Sequence, residues 1–362
     1  MKQGKISKTN VVNFSTYLGM AVFFVIMTIL SNTGVLTRSM TGLLVPICCY
    51  MSMAVSLNLT VGILGELSLG HAGFMSVGAF AGVIASQSLI DVIPSGGLRL
   101  AIAMVVGAIF ATIAGFIVGA PVLRLQGDYL AIVTLAFGEI IKDLINCLLV
   151  GWDENGLHIA LNVDGTKSMS SLGLSENGIE IIKGAQGITG TPKAATFTVS
   201  ILLVLLTLVI VLNLINSRTG RAVMSIRDNR IAAESVGINI TKYKLMAFAI
   251  SASLAGVAGV LYAHNLSSLA ATPKNFGYNM SIMILVYVVL GGLGNIRGSI
   301  IAAVILTALP ELLRGLNDYR MLIYAIVLIV MMIFNSSPKV LEKRAVLKEK
   351  FRNKKNTAKE AA

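Results

Sequence analysis

The sequence has few charged residues and few residues of the kinds that build metal or redox sites. Only 13% of its 362 residues are charged, whereas an average soluble domain carries roughly 25%. It contains three cysteines, three histidines and one tryptophan. Cys48, Cys49 and Cys147 all lie in apolar runs without metal-ligand spacing. They therefore predict neither a metal site nor a disulfide.

Motifs for enzyme chemistry are also lacking. His71, His158 and His264 have no partner at metal-binding spacing, and there is no nucleophile elbow, paired-cysteine motif or dinucleotide fingerprint. The fragment 165–168 resembles part of a phosphate-binding loop but has the wrong spacing. The sequence therefore predicts a protein that is not an enzyme, binds no cofactor or metal, and does not hydrolyse ATP itself.

What the sequence does contain is apolar residues and glycine. The chain is 55% hydrophobic and has 35 glycines, as expected where helices pack closely in lipid. A net charge of +12 would indicate a nucleic-acid partner in a soluble protein, but here the basic residues concentrate in a few loops and the tail. Positive-inside topology explains that distribution, and we expect no nucleic-acid partner. No cleavable signal peptide is expected, because the apolar stretch after Lys8 continues as a spanning segment.

Apolar runs of about 20 residues, the length that crosses a bilayer, predict an all-α, polytopic bundle of about ten transmembrane segments. The expected segments are 17–36, 40–60, 68–90, 99–123, 129–150, 195–216, 244–264, 276–294, 298–314 and 319–335.

Charge predicts the orientation of these segments. The N-terminus carries three lysines, and the tail from Asn335 carries nine basic and three acidic residues, so both ends are expected in the cytoplasm of a multi-pass cell-membrane protein. The segment 217–244, with six basic and two acidic residues, is then cytoplasmic, and 151–194, with Trp152 at its edge, is external. The expected regions are a cytoplasmic N-terminus at 1–16, a transmembrane domain at 17–335 and a cytoplasmic basic tail at 336–362.

The stretch from Val61 to Phe74 is unusual for a membrane helix, because it combines four glycines with three polar residues. Glycine beside polar groups predicts a broken or half-spanning helix, which is tolerated only against protein or a wet cavity. Such a break would shape a translocation path, and close helix packing through small residues is the alternative. The run 291–298 vaguely echoes Gly62–Gly65 and is expected to form a tight turn, with Arg297 facing the cytoplasm.

Three charged residues share one predicted membrane helix. Glu139 lies within one turn of Lys142 and Asp143. If these groups face a cavity, they could contact a zwitterion or relay protons. The alternative is an ion pair that stabilises packing near the outer end of the helix.

The basic segment 217–244 contains a recognisable motif. Residues Ala232–Gly237 match the core Ala-Ala-x-x-x-Gly of the coupling motif in the membrane subunits of ATP-binding-cassette (ABC) importers, with Ile231 where glutamate is usual. Two pairs of residues, one helical turn apart, predict short apolar faces for a partner: Ala222 with Ile226, and Ala232 with Val236. Arg221, Arg227 and Arg230 could pair with acidic groups on an ATPase.

The motif and its surroundings together resemble the permease family that imports branched-chain amino acids, specifically the larger of its two membrane subunits. The resemblance covers roughly residues 40–335, whereas the stretch 155–182 is longer than is usual in that family. The segments that carry it are 57–74, 127–141, 187–192, 218–239 and 243–262.

The resemblance implies a type II-like ABC importer fold and a heteromeric assembly in the lipid bilayer. Its partners would be a second, shorter permease subunit, two cytoplasmic ATPases and an external substrate-binding protein. The residues expected to couple the chain to the ATPases are Arg218, Gly220, Arg221, Ile226, Arg227, Arg230, Ala232, Ala233 and Gly237. Those expected along the translocation path are Gly65, Glu66, Ser68, Gly70, His71, Gly73, Thr134 and Glu139.

Leucine, isoleucine or valine is the expected cargo. An importer of urea or short-chain amides shares similar permease motifs and is the first alternative. The second is an ion-coupled secondary transporter, in which Glu66, His71 and Glu139 would form a cation or proton site.

Overall fold

The fold was taken from a computed structural model that describes residues 8–90, 92–125, 127–153, 156–162, 172–174, 178–266 and 268–336. The basic tail from residue 337 and, within 155–182, residues 155, 163–171 and 175–177 lie outside the described residues. By its internal contacts the chain divides into two compact units, Met1–Ile305 and Leu306–Ala362.

Helices form most of the described structure. They are α1 (Lys8–Asn32), α2 (Arg38–Asn58), α3 (His71–Ser88), α4 (Gly96–Val122), α5 (Asp128–Asn146), α6 (Phe197–Asn216), α7 (Arg218–Asp228), α8 (Arg230–Ser235), α9 (Ile240–Ala263), α10 (Tyr278–Gly291), α11 (Ile296–Leu312) and α12 (Arg320–Ser336). A π-helical turn, Leu59–Leu64, continues α2, and the second unit also holds a 3₁₀ segment, Leu313–Tyr319.

A helix coincides with each of the ten expected membrane segments. Six helical stretches within the described residues are long and apolar enough to cross a bilayer: Asn13–Asn32, Arg38–Leu64, Gly96–Val122, Phe197–Asn216, Ile240–Ala263 and Ile296–Gly315. The shorter α10 is apolar as well. The all-α, polytopic class is therefore confirmed, while the number of ten crossings stays a prediction.

The core of the first unit forms around α9, which packs against α2, α3 and α4. Small residues every four positions along α4 form the buried stripe of that helix: Ala103, Gly107, Ala111, Gly115 and Gly119. Large apolar residues between them, such as Ile109, Phe116 and Ile117, are about half exposed or more. An apolar outer surface around a small-residue interface is typical of helices packed in lipid.

Glycine is needed where α3 meets α9, because the two backbones touch. A Cβ on Gly78 would lie 2.3 Å from the Cα and the carbonyl oxygen of Gly256. A Cβ on Gly259 would lie 2.0 Å from the carbonyl oxygen of Met75. Such contacts leave no room for a methyl group, so these glycines set the distance between the helices.

A small antiparallel sheet was not foreseen from the sequence. Its strands are β1 (Leu148–Asp153), β2 (Gly156–Leu161), β3 (Ile179–Lys183), β4 (Ile188–Thr189) and β5 (Ser268–Leu269), in the order β2-β1-β3-β4-β5. The helix expected over residues 129–150 ends at Asn146. The apolar residues 148–150 of the expected helix belong to β1 instead. Leu149 and Val150 are buried within the sheet, and a short buried strand cannot be told from a helix end by its apolar residues alone.

We predict that Gly78→Ala destabilises the protein by about 1–3 kcal/mol, because the added methyl group forces α3 and α9 apart. Gly42→Ala is the matched control, since a Cβ at that exposed position on α2 meets no atom within 4 Å. Both variants are heated in detergent and the folded fraction is measured by size-exclusion chromatography. The midpoint temperatures of unfolding are then compared. Equal midpoints for both would contradict the role given to the glycine contact.

Candidate coupling segment and helix break

The break expected in the Val61–Phe74 stretch is present. The π-helical turn ends at Gly65, whose φ of 82° lies in the left-handed region that favours glycine. The amides of Gly65 and Glu66 both donate to the carbonyl oxygen of Thr60. Residues 65–70 are then non-helical until α3 starts at His71. We call residues 59–70 the helix break.

A single buried side chain joins this break to the turn between α10 and α11. Asn58 Oδ1 accepts a hydrogen bond of 2.9 Å from the Gly294 amide, and its Nδ2 donates to Ser299 Oγ at 2.8 Å. A Cβ on Gly62 would lie 2.2 Å from the Gly294 nitrogen. The two glycine-rich segments with similar sequences therefore lie side by side, and the contact between them needs glycine at position 62.

His71 is held in a buried hydrogen-bonded cluster. Its Nε2 lies 2.7 Å from Ser56 Oγ, and Ser251 Oγ donates to the Ser56 carbonyl oxygen at 2.6 Å. His71 is 2% exposed. This arrangement links α2, α3 and α9, so in the described conformation His71 serves packing and does not face open space.

Other path candidates lie between α3 and α5. Thr134 Oγ1 accepts from the Leu69 amide at 3.0 Å and donates to the Ala131 carbonyl oxygen at 2.9 Å. A Cβ on Gly70 would lie 2.1 Å from the Thr134 carbonyl oxygen, and one on Gly73 would lie 2.9 Å from the Cα of Gly138. Both glycines thus allow α5 to approach the end of the break.

Ser68 also lies in the break, and its buried hydroxyl has no hydrogen-bond partner among the described residues. Its assignment to a translocation path stays a prediction, as do those of Gly65, Glu66, Gly70, His71, Gly73, Thr134 and Glu139.

Glu139 uses both carboxylate oxygens within the protein. Oε2 lies 2.5 Å from Lys142 Nζ, and Oε1 accepts from the Tyr278 amide at 2.5 Å. Lys142 also lies 3.1 Å from Asp143. Because a carboxylate stabilises a helix N-terminus, Glu139 acts as a side-chain cap for α10. This geometry favours the packing alternative for the charged cluster.

The segment 217–244, called the coupling segment below, forms two short helices with side-chain caps. Ser217 Oγ accepts from the Gly220 amide at the start of α7, and Asn229 Oδ1 accepts from the Ala232 amide at the start of α8. Gly237 follows α8 with a φ of 84°, and the Ile238 amide donates back to the Ala233 carbonyl oxygen. This pattern is a glycine C-cap, so the glycine of the motif ends the helix.

The inner face of the coupling segment is apolar and buried. Ile226 and Ala233 form a cluster with Ile240, while Val223 packs with Leu59, Ile63 and Leu64 of the break. Ile226 had been expected on a docking face, but it is 4% exposed. Gly220 is also buried, against the carbonyl groups at the end of α6.

The outer face presents different apolar residues. Ile231 is 82% exposed and Val236 is 74% exposed. Six of the residues expected to contact an ATPase are exposed as well: Arg218, Arg221, Arg227, Arg230, Ala232 and Gly237. The departure from the usual glutamate at position 231 therefore leaves an isoleucine exposed at the start of α8.

Two basic residues of the coupling segment contact the break. Arg227 Nη1 donates to the Gly62 carbonyl oxygen at 3.0 Å. Lys244 and Glu66 form an ion pair in which the side chains are 5% and 13% exposed, respectively. The sequence predicted Arg227 as an ATPase-coupling residue and Glu66 as a translocation-path residue. In the structure, the contact of Arg227 with Gly62 and the ion pair of Glu66 both lie within residues 62–66 of the break.

Lys244 and Asn58 were missed from the sequence. A lysine at the start of an apolar helix and an asparagine at the end of another were the available signals, since each is costly in a membrane without a partner. No cluster of histidine, cysteine or acidic residues suited to a metal ion occurs within the described residues.

These helices, the break between α2 and α3, and an exposed two-helix segment are features of a multi-pass membrane protein. The family model described as branched-chain amino acid transport system / permease component matches residues 39–334. The chain therefore belongs to the branched-chain amino acid transport system permease family.

Individual relatives agree with the family match. The chain is 35% identical over 289 residues to the high-affinity branched-chain amino acid transport system permease protein LivM of Salmonella typhimurium, and 34% identical to that of Escherichia coli K12. Each alignment covers 79% of this chain and 66% of the relative. The chain thus spans just under two thirds of the length of these relatives.

A more distant relative is the probable branched-chain amino acid transport permease protein LivM of Methanocaldococcus jannaschii, 26% identical over 69% of this chain and 74% of the relative. No solved structure matches the chain.

We predict that Asn58→Leu destabilises the protein by about 1–3 kcal/mol, because it leaves the Gly294 amide without its acceptor and removes the donor to the Ser299 hydroxyl oxygen. Ser52→Ala is the matched control: Ser52 is equally buried on α2, and its hydroxyl has no partner among the described residues. The midpoint temperature of thermal unfolding in detergent is measured for both variants. A midpoint for Asn58→Leu equal to that of the control would contradict the bridging role.

Proposed function

We propose that this chain is a membrane-spanning permease subunit of an ABC importer for the branched-chain amino acids leucine, isoleucine and valine. The family match over residues 39–334 supports it, as do relatives whose names specify branched-chain amino acid transport. These matches do not favour a urea or amide importer, or an ion-coupled transporter. In this role the chain forms part of the translocation path and is moved by ATPase subunits.

One structural observation carries the coupling part of the proposal. The coupling segment exposes Ile231 and Val236 on a short capped helix, while its opposite face packs against the break through Val223. A rigid element with one apolar face outward and one inward is suited to receive motion from a partner and pass it to the membrane helices.

Arg218, Arg221 and Arg230 are exposed on the same segment and would attract acidic groups on an ATPase surface. Ala232 and Gly237 are exposed next to Ile231 and Val236 in the chain. The buried residues of the coupling segment, Gly220, Ile226 and Ala233, would instead hold the two helices in place.

The proposed assembly contains this chain, a second permease subunit, two ATPases and an external substrate-binding protein in a lipid bilayer. Residues 1–16, the coupling segment and residues 336–362 would be cytoplasmic, the transmembrane domain would span 17–335, and 151–194 would be external. The distribution of basic residues supports this orientation.

We expect a single cysteine introduced at Ile231 to react with a membrane-impermeant maleimide only in inside-out vesicles, because the coupling segment is proposed to be cytoplasmic. A cysteine at Lys193 should react only in right-side-out vesicles. Both variants are made after the native cysteines have been replaced by alanine. Labelling of Ile231→Cys from the outside would overturn the orientation.

Uptake by the reconstituted complex tests the function. Proteoliposomes that contain the complete complex should accumulate leucine when ATP and the binding protein are supplied, and uptake should persist with an ionophore. The isolated chain should accumulate nothing. Concentrative uptake by the isolated chain, or uptake that the ionophore abolishes while ATP is maintained, would contradict the proposal.

In the same assay, Ile231→Asp should lower uptake by about tenfold or more, because a carboxylate in an apolar contact weakens docking. Ile231→Val keeps the apolar contact and should retain most of the uptake. Co-purification of the ATPases with each variant shows whether docking is the step that fails. Undiminished uptake with Ile231→Asp would show that this face is not the ATPase contact.

A further inference from the structure

Two basic side chains from different helices of the coupling segment reach the same five residues of the helix break. Arg227 lies in the last turn of α7, and Lys244 lies in the first turn of α9. Their partners are Gly62 and Glu66, at opposite ends of the stretch 62–66. The coupling segment is therefore fastened to the break at two points.

The Arg227 contact is specific in shape and in hydrogen bonding. Its Nη1 donates to the Gly62 carbonyl oxygen at 3.0 Å. Asp228 Oδ1 accepts from Nε at 3.1 Å and from Nη2 at 2.9 Å, which fixes the plane of the guanidinium. The stem of Arg227 packs on Gly65, where a Cβ would lie 2.6 Å from Arg227 Cγ. Gly65 thus provides both the turn and the room for the arginine.

The Lys244 contact is a largely buried ion pair. The side chain of Lys244 is 5% exposed and that of Glu66 is 13% exposed. Loss of one partner would leave the other charge buried and uncompensated, which is strongly destabilising. The two side chains therefore move together. The start of α9 moves with them, as does the backbone at Glu66, which is non-helical and follows the π-helical turn.

Both contacts of the coupling segment are made where the backbone of the break lacks regular α-helical hydrogen bonds. Segments of this kind adopt new dihedral angles more readily than the middle of a helix. A displacement of the coupling segment that preserves both contacts must change the backbone at residues 62–66. It would then alter the relation between α2 and α3.

We propose that Arg227 and Lys244 form a two-point linkage that transmits movement of the coupling segment to the helix break, so that ATP hydrolysis opens the path through the membrane. This proposal rests on the proposed function and adds the residues through which the force passes. Arg227 and Lys244 are positioning residues: they act through Gly62 and Glu66 and need no contact with the cargo or with ATP.

The test compares uptake with ATP hydrolysis in proteoliposomes that contain the complete complex. Glu66→Gln and Lys244→Met each remove the ion pair, and Arg227→Met removes the donor to Gly62. Lys242→Met is the matched control, because Lys242 is exposed on the same turn of α9 as Lys244. The double variant Glu66→Lys with Lys244→Glu restores a pair of opposite charges.

Leucine uptake by the three linkage variants should fall by about tenfold or more, while ATP hydrolysis stimulated by the loaded binding protein stays within about twofold of the unmodified complex. Lys242→Met should change neither rate. The charge-reversed double variant should recover part of the uptake lost by Glu66→Gln. Uncoupled hydrolysis of this kind is a result that a merely structural role would not produce.

Two outcomes would overturn the linkage. One is uptake that remains within about twofold of normal in all three variants. The other is a proportional loss of uptake and hydrolysis in complexes that assemble in normal amounts. If Glu66→Gln prevents assembly, Arg227→Met and the charge-reversed pair decide between the same outcomes, since neither leaves a buried carboxamide opposite a lysine.

Failure of the linkage and failure of the proposed function are distinguishable. If the unmodified complex hydrolyses ATP without importing leucine, the substrate or the function is wrong, and the linkage variants are then compared by their effect on transport of the true cargo. If the unmodified complex imports leucine and the variants behave like Lys242→Met, only the linkage is wrong.

Discussion

The constraint on which the structure depends is that backbone polar groups within a membrane protein must find partners inside the protein. Within residues 59–70 the helix cannot meet this requirement by itself, since regular α-helical hydrogen bonding stops at the π-helical turn. Side chains from distant parts of the chain supply the missing partners. Arg227 donates to the Gly62 carbonyl, and Thr134 accepts from the Leu69 amide. Hydrogen bonds from α5 and from the coupling segment therefore stabilise the break.

The same logic explains why the break and the coupling segment are neighbours. A helix break buried among fully apolar helices would leave backbone groups unsatisfied at a cost of several kcal/mol each. The polar side chains that prevent this come from two places, Thr134 on α5 and Arg227 in the coupling segment. The coupling segment therefore satisfies part of the break with one side and presents exposed residues on the other.

The sequence predicted most of the helices, because long apolar runs and basic loops are strong signals in membrane proteins. It also located the break, since four glycines beside Glu66 and His71 are unusual in a spanning helix. It did not predict the sheet, because the apolar residues of β1 continue directly from α5 and lack a period of their own.

The candidate site was predicted in part. Residue types in the coupling segment indicated a docking element, but not which face was turned inward. Ile226 and Val236 look equivalent in sequence, yet one is 4% exposed and the other 74%. The contacts of Lys244 with Glu66 and of Asn58 with Gly294 join residues 178 and 236 positions apart, and no local pattern encodes them.

The small sheet has a consequence for how the helices can separate. Strand β1 continues from the end of α5, and β5 lies between α9 and α10. β3 and β4 lie between them and complete a continuous ladder of antiparallel pairs. The sheet therefore connects one end of α5 to the neighbouring ends of α9 and α10 through main-chain hydrogen bonds. Separating those ends would break main-chain hydrogen bonds, whereas the opposite ends of α9 and α10 are held by side-chain contacts, those of Lys244 with Glu66 and of Asn58 with the Gly294 amide.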